Sequence, residues 1–313
     1  MTHKFAFVGI AGKPNVGKST LINALIGEKI AITSEKAQTT RYRILGVKTT
    51  PDFQLVFVDT PGIHESKHVL NQVIVKQANQ ALLDVDVMLW VVDRKKQPYD
   101  DKLYQTFKTL NIPIILVINK IDQLSHKSDI DAMIMSYLTL GDFDAVIPIS
   151  ALKETYLQHL ETSILEHAYE EGPMFPEDYT TDQQEHQIIS EWIREKILTL
   201  TQQEVPHSAA VFVESIQENK KQKTLDICAL IIVERESQKK ILIGKQGEKL
   251  KQIGMLARQD LNKTFHRKVH LELWIKVKKD WRNKLQDVMR FGYGVTSILL
   301  LVNSLCMQEV LKK

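Results

Sequence analysis

Residues 12–19 read Gly-Lys-Pro-Asn-Val-Gly-Lys-Ser and constrain the fold of this 313-residue chain more than any other segment. The pattern is GxxxxGK followed by Ser or Thr. Its glycines let backbone N–H groups turn toward phosphate, its lysine reaches the β- and γ-phosphates, and its hydroxyl can ligate Mg²⁺. An apolar run at residues 5–10 precedes the loop, and a helical segment at 18–26 follows it, with Gly27 as the expected end.

Strand, loop and helix in this order aim a helix N-terminus at phosphate. The segment therefore predicts a nucleotide-binding loop rather than a coincidental glycine turn. The residues expected to contact the nucleotide here are Gly12, Asn15, Val16, Gly17, Lys18, Ser19 and Thr20.

A second motif, NKxD at residues 119–122, follows another apolar run. The Asp122 carboxylate can accept two parallel hydrogen bonds from N1 and N2 of guanine, whereas adenine would leave it unpaired. Asn119 and Lys120 are expected to brace the loop and cover the base. NKxD alone is weak, since many surface turns carry these residues, but its position behind the phosphate loop supports it. Backbone N–H groups of Ser150 and Ala151 are expected to reach guanine O6.

A third motif, DxxG at residues 59–62, ends an apolar run. Asp59 is expected to hold Mg²⁺ through water, and the Gly62 N–H to sense a γ-phosphate oxygen. A threonine upstream would close on Mg²⁺ in the GTP state. Thr39 and Thr40 both qualify and Thr40 is favoured, while two solvated loop threonines are the alternative. The predicted metal ligands are Ser19, Thr40 and Asp59, and the predicted catalytic residues are Lys18, Thr40, Asp59 and Gly62.

These elements, in this order, resemble those of the translation-factor-related GTPases. The amino-acid sequences of residues 12–20, 37–41 and 59–64 resemble those of the Era family. The resemblance implies an α/β P-loop GTPase domain with a mostly parallel, doubly wound sheet, GTP as substrate and Mg²⁺ as cofactor. Ile63 stands where Ras-like GTPases carry the glutamine that orients water, so we expect slow intrinsic hydrolysis. In related GTPases an asparagine at the position of Asn15 coordinates K⁺, which can replace an arginine finger. The alternative is that Asn15 only shapes the loop.

Charge is divided unevenly along the chain. Residues 1–180 hold 18 Lys and Arg against 22 Asp and Glu, and residues 181–313 hold 23 against 16, so the net charges are −4 and +7. Residues 220–290 alone hold 19 basic and 8 acidic residues, a net charge of +11. This basic field predicts a polyanionic partner, with a solvated basic face as the alternative. A segment at 171–184 that combines two prolines, a glycine and acidic residues predicts a linker between domains at 1–170 and 185–293.

The basic half contains two apolar strand patterns, a GxxG loop at residues 244–247, a helix with a buried stripe, and an alternating strand at 268–278. GxxG alone is weak, but a GxxG loop among lysines at the start of a helix is typical of an α+β KH-like (type II) domain that binds RNA. The residues between Val233 and Ile241 look too short for the full helix that this fold needs before the loop. The predicted RNA-binding residues are Arg235, Lys239, Lys240, Ile243, Gly244, Lys245, Gln246, Gly247, Lys249 and Lys251.

A GTPase domain followed by a KH-like domain extends the Era-family resemblance to about residue 293. Family knowledge then implies binding to small-subunit ribosomal RNA near its 3′ end and a role in assembly of the small ribosomal subunit. It also implies loose peripheral contact with the inner membrane. We further expect the protein to be cytoplasmic and monomeric. Two other functions stay open: an RNA-binding module whose GTP site senses nucleotide with negligible turnover, and a membrane-surface GTPase.

The tail at residues 294–313 is strongly apolar and unlike the family, yet too short to span a membrane. Packing back as a terminal helix ranks first among its interpretations, before membrane contact or an altered reading frame. Two isolated cysteines without CxxC spacing indicate a reducing compartment and no structural metal site. Trp90, Trp192 and Trp274 lie in apolar runs and are expected in the core.

Overall fold

The computed structural model describes residues 3–34, 36, 39, 41–59, 70, 85–202 and 204–293. In the first domain, the described strands form one sheet in the order β2-β3-β1-β4-β5-β6, with β7 beside the first residues of β1. The strands β2 and β7 are antiparallel to their neighbours, and the other pairs are parallel. The strands are β1 (Lys4–Ala11), β2 (Ile44–Thr49), β3 (Phe53–Asp59), β4 (Val87–Val92), β5 (Ile114–Ile118), β6 (Ala145–Pro148) and β7 (Tyr169–Glu170).

Helices cover both faces of this sheet, which explains why its central strands are apolar at every position. One face packs against α1 and α4, and the other face packs Trp90 against α2 and α3. The predicted doubly wound, mostly parallel P-loop fold is confirmed. The helices are α1 (Lys18–Ile26), α2 (Pro98–Lys108), α3 (Lys127–Leu138) and α4 (Leu157–Leu165).

The segment predicted as a linker, residues 171–184, packs along the outer strands of the first domain. The Gln54 side chain accepts from the N–H of Phe175 at 2.9 Å and donates to its carbonyl at 2.9 Å. Asp182 pairs with Arg43 at 2.8 Å and accepts the Leu45 N–H at 3.0 Å. The connection between the domains is therefore held along much of its length.

The second domain is built on a three-stranded sheet in the order β10-β9-β8, in which β8 is antiparallel and β10 parallel to β9. Helices α5 and α8 pack on one face of the sheet, around a core that includes Trp192, Ile231 and Ile253. This is the α+β arrangement expected of a KH domain. The elements are α5 (Glu185–Leu200), α6 (Val205–Ser208), β8 (Ala210–Asn219), β9 (Thr224–Val233), α7 (Glu236–Ile243), α8 (Glu248–Thr264), β10 (Lys268–Val277) and α9 (Leu285–Arg290).

The helix before the GxxG loop is present, so the prediction that this stretch is too short was wrong. The helix α7 has eight residues and ends at Gly244, whose N–H donates to the Lys240 carbonyl. Its start is fixed by Gln238, whose buried side-chain oxygen accepts the N–H groups of Glu234 at 2.8 Å and Arg235 at 3.1 Å. This side-chain cap lets two turns of helix form in very little chain.

Two of the three tryptophans that were predicted to lie in the core do so. Trp90 and Trp192 are buried, as expected, but Trp274 is 61% exposed, so its assignment to the core was wrong. Trp274 lies on β10, where exposed residues alternate with more buried ones because only one face of the strand is covered. The apolar run around Trp274 suggested burial, but Trp274 lies on the uncovered face. Trp281, which was not among the predicted core residues, is also fully buried, and its Nε1 donates to the Ser208 carbonyl at 2.9 Å.

Among the described residues, no helix is both long enough and apolar enough to cross a membrane. The tail at 294–313, and every interpretation of it, lies outside the described residues.

Candidate nucleotide and RNA-binding sites

The phosphate loop joins the end of β1 to the start of α1, and two of its glycines are required by their surroundings. Gly12 and Gly17 have φ of +151° and +97°. A Cβ on Gly12 would lie 2.4 Å from the Val91 carbonyl oxygen, and one on Gly17 would lie 2.3 Å from Asn119 Nδ2. Because no side chain fits at either position, glycine lets the phosphate loop pack closely against the end of β4 and against the loop that carries Asn119.

Lys18 lies inside this loop. Its Nζ donates to the carbonyls of Gly12 and Lys13, both at 3.0 Å, and the side chain is 7% exposed. Burial lowers the pKa of Lys18, and the carboxylates of Asp59 and Asp93 oppose that shift. A desolvated ammonium held by two carbonyls at the centre of the loop is well placed for a phosphate.

The side chains of Ser19 and Asp59 meet at the metal-binding end of the loop. Ser19 Oγ donates to Asp59 Oδ2 at 3.2 Å, across the first turn of α1 and the last residue of β3. A hydroxyl and a carboxylate are the hard oxygen donors that Mg²⁺ takes beside substrate phosphates, so this pair fits the ion. Thr40 and Gly62 lie outside the described residues. The Thr39 hydroxyl donates to the Lys36 carbonyl at 2.7 Å, within its own segment.

Asn119 connects three loops. Its Nδ2 donates to the Val16 carbonyl of the phosphate loop at 2.9 Å. Its Oδ1 accepts the N–H groups of Lys120 at 2.8 Å and Ala151 at 3.0 Å. One buried amide thus fixes the phosphate loop against both loops that are predicted to contact the base.

Lys120 reaches over the phosphate loop from the next position. Its Nζ donates to the Asn15 carbonyl and pairs with Asp93 Oδ2 at 2.7 Å. Asp93 was not among the sequence-predicted site residues. A carboxylate at the carboxyl end of the buried strand β4, beside two other strand ends that carry motifs, is the signal that could have revealed it.

Asp122 lies in a short 3₁₀ turn and accepts a hydrogen bond from Ser150 Oγ at 2.5 Å. Ser150 Oγ in turn accepts the Lys153 N–H at 3.1 Å. The hydroxyl role of Ser150 was not predicted. The Ser150 N–H donates to the Thr155 carbonyl at 3.2 Å, and the Ala151 N–H donates to Asn119 Oδ1. The expected contact with guanine O6 stays a prediction, and it requires one of these two N–H groups to be shared between its present acceptor and the base.

A cavity of about 720 Å³ runs along these loops. Its volume is that of a small-molecule site. Asp122 and Lys120 line it together with phosphate-loop residues, and Thr33, Ser34, Lys36 and Thr39 also contribute to its wall. Leu198 and Thr199 of α5 also line it, so both domains contribute to the wall.

The second candidate site is the GxxG loop between α7 and α8. Gly244, Gln246 and Gly247 have φ of 72°, 52° and 82°. A Cβ on Gly244 would lie 2.7 Å from Lys249 Cβ, so the glycine lets the loop fold tightly over the start of α8. The predicted contact residues that are exposed around it are Arg235, Lys240, Lys245, Gln246 and Lys251, while Lys239, Ile243, Gly244, Gly247 and Lys249 are half-buried.

The comparisons with known proteins match both domains. A family model described as 50S ribosome-binding GTPase matches residues 7–120, and one described as KH domain matches residues 204–282. Era from Aquifex aeolicus, in a variant solved with GDP and AlF4⁻, is 44% identical with a TM-score of 0.90, over 93% of this chain and 100% of that one.

A structure of Era with MgGDPNP and nucleotides 1506–1542 of 16S ribosomal RNA is also 44% identical, with a TM-score of 0.91, over 94% of this chain and 100% of that one. An identity of 44% over more than nine-tenths of this chain shows that the chain belongs to the Era family of GTPases.

Proposed function

We propose that this GTPase binds small-subunit ribosomal RNA near its 3′ end through its KH domain and acts in assembly of the small ribosomal subunit. The observation that carries the proposal is the GxxG loop at 244–247, which exposes Lys245 and Gln246, follows a capped helix and is surrounded by lysines. A related Era, 44% identical to this chain, has been solved with nucleotides 1506–1542 of 16S ribosomal RNA.

The loop geometry suits a single-stranded RNA backbone. Two glycines with positive φ remove the side chains that would hold a sugar-phosphate chain away, and α8 presents its N-terminus directly behind them. Lys240, Lys245 and Lys251 supply mobile positive charge at the rim. Phosphate contacts of this kind position the strand and make its affinity dependent on salt.

In the first domain, we assign the nucleotide to the cavity described above. Lys18 and the phosphate-loop N–H groups would hold the phosphates, and Asp122 would pair with guanine. Ser19 and Asp59 would hold Mg²⁺, which neutralises charge that develops on the transferred phosphoryl group. Thr40 and Gly62 keep their proposed switch roles, outside the described residues. The remaining proposed nucleotide contacts are Gly12, Asn15, Val16, Gly17, Thr20, Asn119, Lys120, Ser150 and Ala151.

Slow intrinsic turnover and K⁺ binding at Asn15 stay predictions, as does the monomeric state. We place the protein in the cytoplasm, where its RNA partner is assembled. Peripheral contact with the inner membrane, which the family resemblance implies, also stays a prediction.

The test is RNA binding by a loop variant and a variant of equal charge. Lys245→Asp with Gln246→Asp places two carboxylates in the GxxG loop, and Lys221→Asp with Gln222→Asp makes the same charge change in the exposed β8–β9 turn. Binding of an oligonucleotide of residues 1506–1542 of 16S ribosomal RNA is measured by fluorescence anisotropy at fixed salt. We expect about a 100-fold weaker Kd for the loop variant and less than about a threefold change for the control. Equal losses in both variants, or none in the loop variant, would contradict the assignment.

A further inference from the structure

The phosphate loop carries a second lysine, Lys13, which lies between Gly12 and Pro14. Its Nζ pairs with Asp100 Oδ1 at 2.8 Å and lies 5.2 Å from the centre of the Tyr99 ring. Tyr99 and Asp100 belong to the first turn of α2, and no sequence motif marks this helix as part of the nucleotide site. The side chain of Lys13 therefore fixes the phosphate loop to α2.

The Asp100 carboxylate is itself held in place. Asp100 is 2% exposed, and its Oδ2 accepts the Gln97 N–H at 2.8 Å and the Tyr137 hydroxyl at 3.3 Å. Burial, and after it the nearby Asp100 carboxylate, raises the pKa of Tyr137, so this hydroxyl stays protonated and can donate. A buried carboxylate is favourable only where it is paired and hydrogen-bonded, and Lys13 supplies the positive charge. The partner of the Lys13 ammonium is thus rigid.

The backbone of Lys13 contributes directly to the position of Lys18. The Lys13 carbonyl accepts a hydrogen bond from Lys18 Nζ at 3.0 Å. Pro14 follows Lys13, and the residue before a proline is largely confined to extended backbone conformations. Because the backbone has so little freedom, fixing the Lys13 side chain on α2 also fixes the direction of its carbonyl. Asp100 is therefore connected to the Lys18 ammonium through a single residue.

The phosphate loop is also held by side chains of the loop that follows β5. Asn119 Nδ2 donates to the Val16 carbonyl at 2.9 Å, and Lys120 Nζ donates to the Asn15 carbonyl. These contacts lie at residues 15 and 16 and come from the predicted base-recognition loop. Removing the pair of Lys13 with α2 should therefore loosen the part of the loop that holds Lys18, while the part next to the base-recognition loop stays fixed.

We propose that Asp100 is a positioning residue for the GTPase site. It holds Lys13 on α2, and Lys13 presents the carbonyl that keeps the Lys18 ammonium at the centre of the loop. A loop that is fixed by its own side chains loses less conformational freedom when phosphate binds, and its affinity for phosphate is higher for that reason. The inference rests on the proposed function, which assigns the nucleotide phosphates to this loop.

The test compares GDP affinities, measured by titration with fluorescent GDP, between the unmodified chain and variants at the two positions. Asp100→Asn removes the negative charge and keeps the shape of the side chain, and Lys13→Met removes the ammonium. Asp101→Asn is the matched control, because it makes the same change one residue further along α2, where Asp101 is exposed and pairs with Lys96 at 2.8 Å. Lys13→Arg keeps a positive charge at residue 13.

We expect Asp100→Asn and Lys13→Met each to weaken GDP binding about tenfold. The variant with both changes should also lose about tenfold rather than about 100-fold, because the two changes remove the same ion pair. Asp101→Asn should stay within about twofold of the unmodified chain, because it leaves this ion pair intact. Lys13→Arg should stay within about threefold, since the guanidinium can still pair with Asp100.

A second ligand separates the positioning of phosphate from a general loss of structure. IDP lacks the 2-amino group of guanine, so the ratio of the IDP Kd to the GDP Kd reports on base recognition. This ratio should stay within about twofold of the unmodified value in every variant, because the contacts of Asn119 and Lys120 remain. A lower ratio would mean that the whole site is disturbed and would contradict the assignment. Calorimetry shows whether each variant is folded at the temperature of the titration.

An Asp100→Asn variant that binds GDP within about twofold of the unmodified chain would overturn the proposal. A double variant that loses about 100-fold would do the same, because the two residues would then act independently. If Lys13→Met does not fold, Asp100→Asn is compared with the double variant, in which no carboxylate is left buried without its cation. Equal GDP affinities there support the proposal, and a further loss of about tenfold contradicts it. An unmodified chain that does not bind GDP at all would mean that the proposed function itself fails.

Discussion

Asn119→Ala tests the geometry of the nucleotide site most sharply, because this one amide makes three hydrogen bonds between three loops. The Asn119 side chain is buried, and so is Ala151. A hydrogen bond contributes about 1 kcal/mol net, and a buried group left unsatisfied costs about 1–3 kcal/mol. The variant should therefore lower the free energy of unfolding by about 3 kcal/mol or more.

The nucleotide affinity should fall in the same variant. Without the amide, the phosphate loop and the base-recognition loops are no longer fixed to each other, so binding must order them. If ordering the loops costs about 2.7 kcal/mol of the binding free energy, the Kd rises about 100-fold. The loss of affinity should be equal for GTP and GDP, since none of the three hydrogen bonds involves a residue that is predicted to sense the γ-phosphate.

The assay combines urea unfolding without nucleotide and titration with fluorescent GDP and GDPNP. Asn262→Ala is the control, because Asn262 accepts one hydrogen bond, from the Val269 N–H at 2.8 Å, in the other domain. It should cost about 1 kcal/mol of unfolding free energy and leave nucleotide affinity unchanged. An Asn119→Ala variant no less stable than the control, with GDP binding within about twofold of the unmodified chain, would refute the reasoning.

Three further predictions follow from single contacts. Gly12→Ala should weaken GTP and GDP alike by at least about tenfold in titration calorimetry, since its Cβ would meet the Val91 carbonyl at 2.4 Å in a strained backbone; unchanged affinities would contradict the fit. Asp122→Asn should lose at least about 100-fold in GDP affinity, because an amide cannot accept two bonds from guanine; retention of affinity would remove Asp122 from base recognition. Burial, and after it the nearby Arg41 and Arg282, lowers the pKa of His207 in the folded chain. As the pH falls below about 6.5, the unfolded chain therefore binds more protons than the folded chain, and the free energy of unfolding drops. His207→Gln should flatten the decline in unfolding free energy between about pH 7 and 5.5, and an identical slope would exclude His207 as its source.

Much of the GTPase domain could be predicted from sequence because its signals are local. The strand, glycine loop and helix around Lys18 follow one another in the chain, and α1 ends at Gly27, whose φ is +83°. NKxD and DxxG each follow a strand that is buried at nearly every position, and such strands are recognisable as apolar runs. Asp93, which pairs with Lys120, was not predicted because it belongs to no sequence motif.

The KH domain was harder to predict because its deciding contacts are not periodic. The helix α7 depends on one cap by Gln238, and the exposure of Trp274 depends on which face of β10 the rest of the domain covers. The contacts between the domains carry no local signal at all. Arg194 and Thr39 are 155 positions apart, and only the folded chain brings them together.

The central claim is that the GTP site and the RNA-binding domain work as one coupled device, and single-turnover GTP hydrolysis tests it most directly. The rate is measured in K⁺ buffer with and without the 16S oligonucleotide 1506–1542, with Lys18→Ala as the inactive reference. We expect a slow basal rate that the RNA changes several-fold and that Lys18→Ala abolishes. The same rate at saturating RNA as in its absence would contradict the claim.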